Sequence, residues 1–401
     1  MESKQQNRLI LYFLLATALR LAVFYLAPTF ADALTDRVEI STPISSFKRL
    51  LEGLFLHESG LSPYDGGVYH QAPLLLTILQ ILPHPIVFTG LDLLNAWNIS
   101  LVASRLALPS PRFVKLDSTI LVAIYLFNPF TIMACLGRSS QTFTNTAILQ
   151  ATSSAISGNM FGTLFALAFG TYLTIYPGLI LPPLLLLLLQ SRKQPVNFST
   201  IFRPTIIYLG LTALLLALSI ILIGPANAID MLRHCYLAQV SLPDLTPNIG
   251  LWWYFFIEIF DAFRPFFIGV FWTHLISYVG ALTVRLPDQP LFVIITLCGL
   301  FAVFKPYPSI ADISLYFGML PLYQHVFPRK FYSPSLSHTD NHYSSKSFSI
   351  SRMINHYPSQ QPPSYNHLLF HKHNLTRKIQ HHHTPEFSTP PTHLLISPST
   401  N

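Results

Sequence analysis

Through residues 1–328 the apolar positions fall in long blocks, separated by polar seams of unequal length. A membrane-spanning helix needs about 20 consecutive apolar residues. The pattern predicts spans over roughly 9–27, 86–107, 118–137, 205–224, 265–284, 289–304 and 311–327. The block from Thr142 to Leu189 is longer than one crossing. Its Gly158, Gly162, Gly170, Pro177, Gly178, Pro182 and Pro183 are expected to divide it, into one long and two short crossings. The run from Pro73 to Pro83, PLLLTILQILP, is too short to span and is bounded by prolines that resist helix continuation, so it is expected to lie in the interface or re-enter. In ISSFKRLLEGLFLHESG, residues Ile44, Phe47, Leu50, Leu51, Leu54 and Phe55 recur near helical spacing, which predicts an amphipathic helix lying on the membrane. LWWYFFIEIFDAFRPFF, from Leu251, is aromatic throughout and interrupted by Glu258, Asp261 and Arg264, a composition that belongs at headgroup level.

Composition sharpens this picture. Of 401 residues, 51% are hydrophobic and 10% charged, against about 25% charged in a soluble globular chain. The mean hydropathy of +0.45 averages two unlike parts. From Arg329 onward Ser, Pro and ten of the sixteen histidines dominate, with Asp340 and Glu386 as the acids, so residues 329–401 are expected to form a disordered tail beside a multi-span domain over 1–328. The tail's HHH at 381–383 has no carboxylate or cysteine arranged around it, so no metal site is expected there. Cys135, Cys235 and Cys298 are scattered in or beside apolar stretches, which implies neither a disulfide framework nor a metal site.

The net charge of +7 does not mark a nucleic-acid binder, because the basic residues sit singly or in pairs between apolar runs, as topology signals do. Lys4 and Arg8 precede the first span; Arg105, Arg112 and Lys115 precede the span at 118; Arg192, Lys193 and Arg203 precede that at 205. Arg285, Arg329 and Lys330 complete one consistent cytosolic side. The N-terminus is then cytosolic and the loops 28–72 and 225–250 are lumenal, and the sequon at Asn374 falls on the cytosolic side, away from glycosylation. The first apolar run contains Arg20 and is followed by no small-residue cleavage motif, so it reads as a retained span. Arg192 and Lys193 are either contacts for an anionic lipid headgroup or an ordinary positive-inside signal.

Few residues invite a chemical reading. Arg20, inside a span, is either functional or an arginine that snorkels or pairs with a neighbouring helix. Asp92, Asn95 and Asn98 share one helical face, which favours hydrogen bonding between helices over ligand contact. A large first lumenal loop followed by many short spans resembles the GT-C class of lipid-dependent glycosyltransferases, which place an acidic pair in that loop. Here Asp32, Asp36, Glu39 and Glu52 do not reproduce the close DxD pair. No nucleophile with a histidine partner, P-loop or zinc-helix motif is visible, and no cofactor is expected.

SLPDLTPNIGLWWYFFIEIF, at 241–260, resembles the signature region of the PIG-U family of GPI transamidase subunits. Three further stretches agree in order: DRVEISTPISSFKRLLEGLFLHESGLSPYDGGVYHQAPL at 36–74, YLFNPFTIMACLGRSSQTFTN at 125–145 and FKPYPSIADISLYFGMLPLYQHVF at 304–327. The resemblance implies an all-α polytopic membrane protein of the endoplasmic reticulum, a GT-C-like helical bundle turned scaffold. It also implies a non-catalytic role beside the other transamidase subunits, one of which carries the cysteine-protease-like chemistry. The subunit's own part is to help recognise the GPI glycolipid or the attachment signal. Asp244, Pro247, Asn248, Trp252, Trp253 and Tyr254 are the candidates for the lumenal part of that site; the alternative for them is a folded loop anchored by its aromatics. A rival reading is a glycosyltransferase using a polyprenyl-phosphate sugar, with Asp32, Asp36 and Glu39 as its acids. The family continues past FKPYP with further hydrophobic spans where this chain has its polar tail, so residues 329–401 are read as a gene-model artefact, not native coding sequence.

Overall fold

In the computed structural model, residues 2–106 and 116–326 are described, and every regular element among them is helical. In chain order these are α1 (Glu2–Leu26), α2 (Pro28–Leu34), α3 (Phe47–Glu58), α4 (Leu74–Ile81), α5 (His84–Arg105), α6 (Ser118–Leu126), α7 (Pro129–Leu136), α8 (Gln141–Ile156) and α9 (Met160–Leu173). There follow α10 (Leu181–Ser191), α11 (Phe198–Ile223), α12 (Ala228–Leu232), α13 (Ala238–Ser241), α14 (Leu251–Glu258), α15 (Arg264–Arg285), α16 (Pro290–Phe304) and α17 (Ile310–Met319). Arg112, Lys115, Asn374, the HHH triplet and the whole tail lie outside the described residues.

Four stretches are long and apolar enough to cross a membrane: Gln5–Leu26, His84–Arg105, Phe198–Ile223 and Asp261–Arg285. The expected span at 118–137 is two helices, α6 and α7, that meet at 51°. Asn128 and Pro129 explain the bend: proline cannot donate to the helix ladder, and the Asn128 side chain caps the new helix by accepting from the Phe130 amide at 2.9 Å. The chain is thus an all-α polytopic membrane protein. Because lipid cannot satisfy a bare peptide group, each helix closes its own backbone hydrogen bonds.

α5 is the hub. More than half of its apolar stretch is buried within the protein, against 17% for α1 and 11% for α15, which leave most of their surface uncovered. α5 packs on α1, α6 and α8, and α8 packs in turn on α9. The two polar features of this region turn out to be one. Arg20, fully buried, donates from Nε to Asp92 Oδ2 at 2.9 Å and from a terminal nitrogen to the Leu126 carbonyl at 2.9 Å. That carbonyl belongs to the end of α6, where the 51° break removes its helical partner. Arg20 therefore pairs with a neighbouring helix, and Asn98 bonds between helices as its face predicts, accepting from Ser153 Oγ at 2.6 Å.

The central block holds three helices. It breaks at Ser157–Asn159, where Gly158 takes a positive φ of 73°, and again before the short 3-10 turn Tyr176–Ile180 that contains Pro177 and Gly178. Gly162 and Gly170, expected as breaks, lie inside α9 instead. A Cβ at Gly170 would stand 3.1 Å from Ala147 Cβ, so this glycine serves close approach of α8 and α9. Pro182 and Pro183 open α10, where their missing amides are not needed. The short run after Pro73 forms α4, with Leu75, Leu76 and Leu79 buried.

Candidate functional site

The predicted amphipathic helix is α3, but its apolar positions divide. Phe47 and Leu50 are buried in the protein and Leu54 partly so, whereas Leu51 and Phe55 are exposed. Ser46 starts the helix as its cap, accepting from the Arg49 amide. The first turn thereby holds Arg49 so that its side chain reaches nearly 200 residues along the chain. It donates to Asp244 Oδ2 at 2.8 Å and to Thr246 Oγ1 at 3.3 Å. Thr246 in turn donates to the other Asp244 oxygen from its amide at 2.8 Å and its hydroxyl at 2.5 Å.

This is one of several tethers on the segment 242–250. Tyr307 donates to the Asp244 carbonyl at 2.8 Å, and Arg264 to the Leu242 carbonyl at 3.1 Å. Asn248, buried, folds back on the loop: its Oδ1 accepts from the Gly250 amide and its Nδ2 donates to the Thr246 carbonyl. Gly250 is required here, since a Cβ would meet Asn248 Oδ1 and Pro308 Cδ at 2.6 Å each. The segment is irregular backbone, and several of its carbonyls are bonded by side chains of the protein.

Behind it sits a second hydrophobic core of Ile44, Leu242, Trp252, Phe256 and Tyr307. Trp252 is wholly enclosed and donates from Nε1 to the Phe304 carbonyl at 2.7 Å; Trp253 donates to the Leu245 carbonyl at 3.1 Å. The candidate residues therefore fall into two groups. Asp244, Asn248, Trp252 and Trp253 hold the loop in place, while Pro247 and Tyr254 face outward, Tyr254 with 70% of its surface exposed.

In front of the loop opens a cleft of about 630 Å³. Asp244 and Thr246 form one wall; Gly67 and His70 come from the loop after α3; Arg233 and His234 come from the turn between α12 and α13. That turn, Arg233–Leu237, is a π-helix, an insertion that recurs at functional sites. The His234 carbonyl binds His70 Nδ1 at 3.0 Å, and the His70 and His234 rings stack 5.4 Å apart. His70, His234 and Arg233 were not among the residues singled out from sequence. The signal is a contact between positions 164 apart, and no local spacing records it.

Charge in the cleft is arranged. Burial alone would raise the Asp244 carboxyl, but hydrogen bonds from Thr246 and Arg49 outweigh it and hold the group below its usual range. Burial lowers His70 from its ordinary value, against the opposing effect of the His234 carbonyl, and Arg49 lowers it further. Each fold-state pKa lies below its unfolded value, so each contribution to stability is present at high pH and lost as pH falls through the folded pKa. Amide-exchange protection of residues 242–250 is expected to hold near neutral pH. It should weaken in a first phase below about pH 6.5, from His70, and a second below about pH 4, from Asp244. His70→Gln should remove the first phase alone; an unchanged two-phase profile would refute the assignment.

Two of the three acids proposed for a glycosyltransferase site are engaged separately, Asp32 with Arg138 and Asp36 with Lys48. Arg192 and Lys193 are exposed in the turn after α10, Lys193 with a positive φ of 52°.

Fold and site together define a multi-pass membrane protein with a polar cleft beside a tethered, aromatic-backed loop. The family model for the GPI transamidase subunit PIG-U matches residues 14–349. The chain is 32% identical over 349 residues to the mouse GPI-anchor transamidase component PIGU, covering 80% of this chain and 79% of that protein. The human protein of the same name gives 32% over 353 residues, with the same coverage. The Saccharomyces cerevisiae GPI transamidase component GAB1 gives 34% over 315 residues, 77% of each chain. The chain belongs to the GPI transamidase subunit PIG-U family.

Proposed function

We propose that this chain is a non-catalytic component of the GPI transamidase complex that presents the GPI glycolipid, or the hydrophobic attachment signal, to the subunit that does the chemistry. Its work is done in the endoplasmic reticulum membrane, with the loops 28–72 and 225–250 on the lumenal side. A role as a subunit in GPI-anchor attachment follows from its family, whose members are named transamidase components. The observation that carries the recognition reading is the loop 242–250. It is tethered by Arg49, Tyr307 and Arg264, backed by an aromatic core, and open in front to a cleft wide enough for a headgroup. Clefts with a few placed polar groups are the usual form of a small-ligand site. In this reading Pro247 and Tyr254 offer the outward contacts, and Asp244, Asn248, Trp252 and Trp253 keep the site in shape. Arg192 and Lys193 face the headgroups of the opposite leaflet. The glycosyltransferase alternative is not favoured, since the relatives carry transamidase names.

Complementation tests the proposal. Residues 1–401, expressed in cells that lack their own family member, should restore GPI-anchored reporter to the surface and co-purify with the other transamidase subunits. Failure of both, by this chain and by a version given a relative's C-terminal spans, would overturn it.

A further inference from the structure

α14 and the first half of α15 form an antiparallel hairpin. Phe255 meets Phe267 with ring centroids 5.1 Å apart, Phe256 meets Phe271 at 5.5 Å and Trp252 meets Trp272 at 6.1 Å, so the contacts descend α15 as they retreat along α14. At the apex Ile259 and Phe260 are extended, with ψ of 145° and 137°, and a short 3-10 turn follows. Glu258 and Asp261 stand exposed beside it. The inner side of the hairpin carries the aromatic core behind the loop 242–250. Its outer side is bare: Ile257 is 50% exposed, Phe260 79%, Phe263 56%, Phe266 66% and Val270 44%. With about 200 Å² to a ring side chain, the three phenylalanines alone show roughly 400 Å², the size of patch that marks a membrane or protein contact. Phe266 and Val270 share one face of α15, and that face continues into a span of which only 11% is buried.

Two physical limits fix the height of the hairpin. Hydrocarbon does not tolerate open irregular backbone, so the extended apex and its two carboxylates belong at the headgroups, where aromatic side chains are favoured. The loop 242–250 is irregular as well, yet it lies lower. Just before it, the Val240 carbonyl accepts from Trp272 Nε1 at 3.1 Å; just after it, Trp252 meets the same indole. From Arg264 down to Trp272 the chain is continuous helix, a drop of about 12 Å at roughly 1.5 Å per residue. At such a depth irregular backbone persists only behind protein. The hairpin is the protein that stands there.

We infer that the α14–α15 hairpin is a wedge in the lumenal leaflet: its outer row meets acyl chains, its apex sits at the headgroups, and the loop 242–250 on its inner side is sunk below the surrounding membrane surface. The partner of the outer row is the bilayer itself, because the row is continuous with the lipid-facing side of α15. This rests on the lumenal placement proposed above and is independent of what the loop binds.

The test uses the full chain in the assembled transamidase complex, in phosphatidylcholine nanodiscs. Cys135, Cys235 and Cys298 are buried, so a maleimide fluorophore reports on one added cysteine at a time, Phe260→Cys, Phe266→Cys or Val270→Cys. Nitroxide on the lipid headgroups should quench the label on Phe260→Cys most, and nitroxide on the upper acyl chain that on Val270→Cys most, with Phe266→Cys between them. Aqueous iodide should reach Phe260→Cys alone. Iodide quenching of all three labels would overturn the wedge by placing the row in water. Protection of all three from every quencher would overturn it by showing a neighbouring subunit on the row. Sidedness is read separately with Asp261→Cys in sealed microsomes, which an impermeant maleimide should label only after permeabilisation. Labelling before permeabilisation would refute the lumenal placement and with it the leaflet named here, whereas lumenal labelling with the depth order lost would refute the wedge alone.

Discussion

Replacing Asp92 by alanine is expected to destabilise the protein by about 3–5 kcal/mol, because it strands the Arg20 guanidinium in the interior without a counter-charge. Both side chains are essentially inaccessible, at 0% and 2% exposure. Arg20→Ala should cost a similar amount by stranding the carboxylate. The double change Arg20→Met with Asp92→Leu should recover most of the loss, since a buried ion pair replaced by apolar residues of similar volume is often close to neutral. Recovery should fall short by about 1 kcal/mol, because the Leu126 carbonyl loses the donor that Arg20 supplies. Thermal unfolding of the purified chain in detergent reads all four states. Single variants as stable as the parent, or a double variant no better than the singles, would mean that the pair does not hold α1 to α5.

The second large effect is expected at Trp252. Trp252→Ala empties the centre of the aromatic core that backs the loop 242–250 and leaves the Phe304 carbonyl without its donor. Loss of a buried tryptophan costs about 3–5 kcal/mol. Its rings touch Phe256, Phe271 and Trp272, so the damage should spread to α14 and α15. Trp252→Phe, which keeps much of the volume, should cost about 1–3 kcal/mol for the unpaired carbonyl. Tyr254→Ala, two residues on and exposed, should leave stability nearly unchanged. Limited proteolysis of the 242–250 loop in the three variants is the readout; cleavage of Tyr254→Ala as fast as Trp252→Ala would refute the division between anchors and outward contacts.

That division was only partly legible in the sequence. The PDLTPNIGLWWY stretch stands out by its density of turn formers and aromatics, and both readings of it, ligand contact and anchored loop, follow from the same letters. What separates them is which side chains are enclosed. Trp252 is enclosed by Ile44, Phe271 and Tyr307, contributed by three distant parts of the chain. Local spacing carries no such information. The same holds for Arg20 and Asp92: each is conspicuous as a charge in an apolar block, yet their 72-residue separation hides that they answer one another.

The long spans were legible because lipid imposes a length and a uniform polarity that any reader of hydropathy can count. The central block was less so. Glycine and proline mark breaks in soluble chains, but Gly170 lies within α9, where the missing side chain admits Ala147. Breaks did occur at Gly158, which takes a backbone conformation most residues resist, and around Pro177. On α3, helical spacing correctly predicted the helix, yet Leu51 and Phe55 point away from the surface that buries Phe47 and Leu50. An apolar stripe says that several positions avoid water. It does not say which are covered by the protein.

The bend between α6 and α7 has a consequence in time. A chain is made from its N-terminus at roughly 5–20 residues per second, so the 72 residues between Arg20 and Asp92 take roughly 4–14 s to appear. Throughout that interval the first span carries a naked cation, at a cost of roughly 2.5–3.5 kcal/mol near the centre of a bilayer. Leu126, whose carbonyl waits for the same guanidinium, emerges later still, 106 residues after Arg20. α1 is thus made well before the segments that complete it, and its arginine acts as a latch that closes only when two later segments have arrived.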